Sequence, residues 1–361
     1  MGKNKPHIGN GNNLGLVNVL ITRFSALGDV AMTIPVIYSV CRCYPDIRFI
    51  MVTKPSMTGI FINSPSNLKV IGADVKNDYV GIRGLWRLLR ELKQQYSIDA
   101  YVDLHDVLRT KLLRLFSRIR GIKASRLNKG RRNKKALTRQ NGKVMLPLIS
   151  SRARYREAFF KVGLPVQEHF DGLYGAGGKA DPMSFAMITP PKQSRSRWVG
   201  IAPFAAHKGK IYPPEKMEEV VKGLINNPDV YVFLFGGGGE EQRLLETWSQ
   251  KYPRTTSLAG KRYGFEAELA LMSHMDVVLA MDSANMHLSS IVGTKVVSIW
   301  GATHPYCGFK GWRQSDGDTI QLAMTCRPCS VFGDKPCQRG DYHCLNGIRP
   351  SLVLEKLQRY L

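Results

Sequence analysis

Four short stretches place charged and hydrogen-bonding residues directly after apolar runs, where a strand-to-helix turn needs only small residues. The first, "ITRFSALGDVAMTIP" (21–35), carries Arg23, Ser25, Gly28 and Asp29. Gly28 admits a close backbone approach that a side chain would block. Asp29 suits either a helix N-cap or a carboxylate free to face a cleft and take part in chemistry. Pro35 is best tolerated in a first helical turn, so a regular helix starting near Ile34 would leave Asp29 in the loop. The second stretch, "APFAAHKGKIYPPE" (202–215), gathers His207, Lys208 and Lys210. A lysine at a strand end can hold a diphosphate as a point charge, although a surface lysine is the simpler reading. The third, "FGGGGEE" (235–241), could bring backbone N–H groups such as that of Gly237 against a nucleotide, or be an ordinary tight loop. It lacks the Gly-x-Gly-x-x-Gly spacing. The fourth, "MDSANMH" (281–287), sets Asp282 and Ser283 at a helix start with Ala284, Asn285 and His287 behind them. There backbone donors can hold phosphate oxygens and Asp282 can accept from sugar hydroxyls; a helix cap and a buried histidine are the plainer alternatives.

The elements that must position these stretches alternate between strand and helix. Strand-like runs lie at 18–24, 47–53, 68–72 and 99–104, with amphipathic helices at 84–95 and 107–121. A Gly-, Pro- and Ser-rich segment at 166–196 suits a connector, after which the alternation restarts and continues to a final helix. Continuous apolar strands alternating with helices predict parallel, helix-covered sheets, hence an α/β protein with two doubly wound units facing a cleft. In such sheets ligands bind beyond the carboxyl ends of the strands, where the four stretches fall. The expected division is a flexible tail over 1–17, a first domain over 18–180, a linker over 181–196, a second domain over 197–348, and a C-terminal helix over 349–361 that could pack back on the first domain.

Size and composition agree with this plan. The chain has 361 residues, 43% of them hydrophobic and 22% charged, which suits two globular cores and argues against wholesale disorder. No apolar run approaches the roughly 20 residues of a membrane span, and there is no signal-peptide pattern, so a cytoplasmic location is expected. The net charge of +24 is the outlier. Residues 107–156 contain 17 Lys and Arg and no Asp or Glu, leaving only +7 for the rest of the chain. Such a concentrated field calls for an anionic partner: nucleic acid, a phosphorylated lipid or an acidic membrane surface. The segment offers few aromatics for base stacking, Phe116 and Tyr155, which weighs against nucleic acid. Cys326, Cys329, Cys337 and Cys344 follow a Cys-x2-Cys-x7-Cys-x6-Cys pattern. Its first pair has zinc-ligand spacing and its second is looser, so a structural role with or without zinc is expected.

Taken in order, these stretches resemble the lipopolysaccharide heptosyltransferases, glycosyltransferase family nine, of the GT-B class with two Rossmann-like domains. "ITRFSALGDVAMTIP" is similar to that family's opening motif, "DLHDVLRT" (103–110) to its Asp-Leu-His-Gly stretch, "KIYPPE" (210–215) to its Lys-x-Trp-Pro-x-Glu, and "DSANMH" (282–287) to its Asp-Ser/Thr-Gly-Pro-x-His. Tyr212 stands for the usual Trp, Ala284 for Gly and Asn285 for Pro or Leu. The resemblance spans about residues 18–360.

The resemblance implies inverting transfer of heptose from ADP-heptose to an acidic inner-core sugar linked to lipid A. Asp29 would be the general base. Lys210 and Lys208 would bind the donor diphosphate, Asp282 the heptose hydroxyls, and Ser283, Ala284, Asn285 and His287, with Gly237, the rest of the donor. Arg23, Ser25, Gly28, His105, Arg109 and Arg126 would face the acceptor. It implies no divalent metal or other cofactor, since lysine and helix-end N–H groups carry the electrostatic work. The expected partners are a nucleotide sugar, a lipid A-linked oligosaccharide and the anionic inner membrane leaflet, not nucleic acid, with the protein a monomer on the cytoplasmic side. Another nucleotide-sugar enzyme of the same fold, such as an epimerase, and a basic nucleic-acid-binding protein are the alternatives.

Overall fold

The computed structural model describes residues 15–361, so most of the expected N-terminal tail, residues 1–14, lies outside the described residues. The strands are β1 (Asn18–Thr22), β2 (Arg48–Thr53), β3 (Leu68–Gly72), β4 (Ala100–Asp103), β5 (Lys123–Arg126), β6 (Arg197–Ala202), β7 (Val230–Leu234), β8 (Thr255–Ser257), β9 (Val277–Met281), β10 (Lys295–Ile299) and β11 (Thr319–Ile320). The helices are α1 (Leu27–Ala31), α2 (Ile34–Cys43), α3 (Gly81–Tyr96), α4 (Leu108–Ile119), α5 (Arg131–Thr138), α6 (Ser151–Phe160), α7 (Pro214–Ile225), α8 (Glu240–Lys251), α9 (Gly264–Ser273), α10 (Ala284–Ile291), α11 (His343–Asn346) and α12 (Pro350–Gln358).

These elements form two compact units. One runs to Lys129 and includes Ser151–Phe170; the other comprises Gly130–Ser150 and Asp171–Leu361. The first unit holds a parallel sheet ordered β3-β2-β1-β4-β5, the second a parallel sheet ordered β11-β10-β9-β6-β7-β8. Both orders are doubly wound, with the strand order reversing beside β1 and beside β6. The central strands are buried and mostly apolar because helices cover both faces. Val19, Leu20 and Ile21 of β1 and Val277, Leu279 and Met281 of β9 are fully buried.

The division departs from the expected boundaries in three places. The 130–150 segment belongs to the second unit, anchored by Leu148 N–H donating to Tyr306 O at 2.9 Å and by Lys143 Nζ donating to the carbonyls of Thr325 and Cys326. The boundary expected at residue 180 falls at Phe170. What reads as a linker over 181–196 is partly core: Phe185 is fully buried, with ring centroids 5.0 Å from His274 and 6.0 Å from Trp198. Within the second unit the last helix, α12, packs on α7. Val353 and Leu357 join that unit's core, and Gly223 lets Leu354 approach: a Cβ there would lie 2.5 Å from Leu354 Cδ1.

Candidate active site

At the carboxyl end of β1 the chain turns through residues 23–26 into α1. The expected helix does start at Ile34 with Pro35 in its first turn, but Asp29 is not in a loop: it sits in the first turn of the separate short helix α1. Its Oδ2 lies 2.7 Å from Arg23 NH2 and accepts weakly from Ala26 N–H at 3.4 Å. The cap and the chemistry are therefore not exclusive, since the carboxylate keeps a side-chain exposure of 31%. Arg23 is buried. It donates to Leu104 O and stands over the Tyr155 ring, 5.7 Å from its centroid, while the Tyr155 hydroxyl donates to Asp29 O at 3.4 Å.

The loop after β4 completes this cluster. His105 Nδ1 lies 3.5 Å from Phe24 N, as its acceptor, and Nε2 lies 3.4 Å from Ser25 Oγ. Burial, and then the neighbouring Arg23 charge, push the His105 imidazole down to about 3, so it is neutral at pH 7. Asp103 holds the loop from beneath: its Oδ1 accepts from the backbone N–H groups of His105 and Asp106, and its Oδ2 pairs with Arg114 at 2.6 Å. Arg23, Ser25, Asp29 and His105 thus converge, with Gly28 beside Asp29 in α1. Arg109, in the first turn of α4, and Arg126, opposite Asp103 in the β4–β5 register, are exposed and form no side-chain hydrogen bond or ion pair among the described residues.

In the second unit the carboxyl end of β9 carries Asp282, buried, with Lys210 Nζ 3.2 Å from its Oδ2 as an ion pair outside hydrogen-bond alignment. Ser283 precedes α10, and its buried Oγ has no hydrogen-bond partner among the described residues. Ala284 and Asn285 form the first turn of α10, half-buried, and His287 is buried one turn on. The Lys210 loop is held to the loop after β10 by Ala302 N–H donating to Gly209 O at 2.8 Å. No side chain fits at 209, where a Cβ would lie 2.9 Å from Ala302 Cβ and 3.0 Å from Gly333 O. Tyr212, in the place of a tryptophan, is fully buried and donates from its hydroxyl to Ile348 O at 2.9 Å. Lys208 turns elsewhere, its Nζ 5.2 Å from the Tyr342 ring centroid, and the Gly237 N–H is taken by Glu241 Oε2 at 2.7 Å.

Several residues that shape these loops are not among the sequence candidates. Tyr155 reaches Asp29 from 126 residues away, with no local spacing to reveal it, while Arg114 reaches back only 11 and 8 residues to Asp103 and Asp106 across the turn into α4. Arg327 donates to the carbonyls of Trp300, Gly301, Leu322 and Thr303 and so ties down the turn after β10; in the sequence it is hidden inside the cysteine pattern. The four late cysteines are free thiols lining one small cavity of about 20 Å³. Among the described residues no group of three or more His, Cys, Asp or Glu is placed to hold a metal ion.

Residues 85–336 match the model of glycosyltransferase family 9 (heptosyltransferase), which is more than half of the chain. The chain belongs to glycosyltransferase family 9. It is therefore a glycosyltransferase, and among similar curated proteins is lipooligosaccharide heptosyltransferase 2 of Campylobacter jejuni, 21% identical over 93% of this chain and 95% of that protein. Lipopolysaccharide core heptosyltransferase OpsX of Haemophilus influenzae is 24% identical over 80% of each chain. In fold, the family 9 glycosyltransferase structure from Veillonella parvula superposes with a TM-score of 0.71 at 16% identity, covering 95% of this chain and 97% of that one. The structure of Escherichia coli ADP-heptose lps heptosyltransferase II gives 0.67 at 16% identity, covering 95% and 98%. The α/β architecture with two parallel sheets is that of these family 9 enzymes, the GT-B fold.

Proposed function

We propose that this family 9 enzyme transfers heptose, with inversion, from ADP-heptose to an acidic inner-core sugar carried on lipid A. The observation that carries the reading is the Lys210–Asp282 pair beside the Ser283 hydroxyl, which has no hydrogen-bond partner among the described residues, at a strand end and the N-terminus of α10. That grouping offers a cation and backbone donors to a diphosphate and a carboxylate to sugar hydroxyls. Relatives described as ADP-heptose and lipopolysaccharide heptosyltransferases support the same substrates.

In this mechanism Asp29, oriented by Arg23, accepts the proton of the acceptor hydroxyl as that oxygen bonds to the anomeric carbon. The bond from that carbon to the diphosphate oxygen breaks on the opposite face, and ADP leaves with the electron pair. Lys210 and the first N–H groups of α10 offset the charge that grows on the diphosphate, which is the work a divalent metal does elsewhere. Asp282 holds the heptose hydroxyls. Neutral His105 can hydrogen-bond the acceptor without repelling Arg23. Arg109 and Arg126, having no acidic partner among the described residues, suit the phosphates and carboxylates of the acceptor, and the basic 107–156 segment suits an anionic membrane surface on the cytoplasmic side.

A panel of nucleotide sugars tests the donor. ADP-heptose should raise Tm and, with a lipid A-linked acceptor, release ADP; at about 100 times Kd the stabilisation is ~2.7 kcal/mol. Stabilisation and turnover by a UDP-sugar but not by ADP-heptose would replace the donor and keep the fold reading.

A further inference from the structure

Helix α4 packs its inner half in the usual way. Leu113 and Ser117 are buried beneath it, and Arg114 reaches Asp103. Its outer half is unusual: Leu108, Leu115 and Ile119 are 75, 52 and 66% exposed. At 100° per residue these positions fall within one narrow stripe along the helix. Lys111 and Arg118, both exposed, run along one edge of the stripe. Along the other edge lie Phe116 and Arg120, which lead onto α3. There the Trp86 ring stands edge-on to Phe116 at 5.1 Å and under the Arg120 guanidinium at 3.9 Å, with exposed Ile82 one turn away. A solvated helix face carries polar residues at its centre; this one carries leucine and isoleucine at the centre and cations at the rims.

We infer that the α3–α4 face docks the enzyme on an anionic phospholipid bilayer, with Leu108, Leu115, Ile119 and Trp86 entering the interface and the rim cations meeting headgroup phosphates. Charge complementarity selects this occupant over another protein surface, since residues 107–129 of the same unit carry eight Lys and Arg and no carboxylate. Apolar side chains in the interfacial layer, long cations snorkelling around them and a tryptophan at the boundary are the pattern of a helix lying in the membrane plane. The surface deepens the membrane part of the proposed function, but its test needs no sugar transfer, so either can fail without the other. It also differs from contact by charge alone: binding should persist in part when salt has screened the rim.

Trp86 supplies the probe. It is 36% exposed, whereas Trp198, Trp248, Trp300 and Trp312 are buried. Full-length protein is mixed with phosphatidylcholine vesicles, with and without phosphatidylglycerol, and its emission and acrylamide quenching are followed. Anionic vesicles should shift the emission to the blue and shield the quenchable fraction. In ~1 M salt, where the Debye length is about 3 Å, a measurable part of that binding should remain. Leu115→Glu with Ile119→Glu should lower vesicle binding at least ~10-fold and remove the salt-resistant part, while Tm and turnover on a water-soluble acceptor stay unchanged. Lys111→Gln with Arg118→Gln should weaken binding chiefly at low salt. Unshielded Trp86 on vesicles that do bind, or undiminished binding by the Leu115/Ile119 variant, would overturn the inference. So would light scattering showing a dimer that the same variant dissociates, since a second copy would then cover the face.

Discussion

At the scale of single residues, the candidate chemistry rests on contacts between side chains far apart in sequence. Asp29 was legible as a candidate because a carboxylate follows an apolar strand. Its setting was not, because the short helix α1 and the Arg23 partnership depend on Tyr155 and Leu104, which arrive from distant chain positions. Arg327 was illegible for the same reason, since its carbonyl partners at Trp300, Gly301 and Thr303 lie 24 to 27 residues away. His105 makes the residue-scale account testable through pH. The unfolded chain protonates this histidine near 6.5, while burial and Arg23 hold the folded imidazole down to about 3. The unfolded state therefore binds more protons between those values, and stability falls as pH drops from about 6.5 toward 3. His105→Asn, which keeps an acceptor for Phe24 N–H, should flatten the Tm-versus-pH curve in that window. A curve as steep as that of the unaltered protein would place the acid sensitivity elsewhere.

At the scale of elements, the long apolar strands and amphipathic helices were readable to within a few residues, because periodicity and burial speak together over such lengths. The strands that escaped, β5, β8 and β11, are two to four residues long and lie at or toward sheet edges, where few side chains carry the pattern. The 130–150 segment escaped because its attachment to the second unit depends on a few anchors such as Lys143 and the Leu148 backbone rather than on a periodic face. The turn carrying Lys210 shows how an element sets the site. With Ala302 Cβ and Gly333 O both within 3.0 Å of any Cβ at 209, Gly209→Ala must push apart the loops that follow β6 and β10. Overpacking of this kind costs about 1–3 kcal/mol. The variant should lose Tm and bind nucleotide sugar more weakly at once, since Lys210 is the next residue. A variant with reduced Tm and undisturbed donor affinity would separate this turn from donor binding.

At the scale of the whole molecule, charge and fold divide the labour. Composition alone pointed to an anionic partner, and the fold shows where the cations stand: along the rims of α4 and through the segment that follows it. The two units carry different halves of the proposed reaction, proton acceptance at Asp29 and leaving-group stabilisation at Lys210 and the α10 N-terminus. A change confined to the first should leave the second intact. The measurement that bears most directly on this is steady-state turnover of Asp29→Asn with ADP-heptose and a lipid A-linked acceptor, with donor affinity determined on the same preparation. Loss of the general base should lower kcat by at least ~100-fold while the Kd for ADP-heptose changes little. Turnover near that of the unaltered enzyme would remove Asp29 from the chemistry and contradict the account.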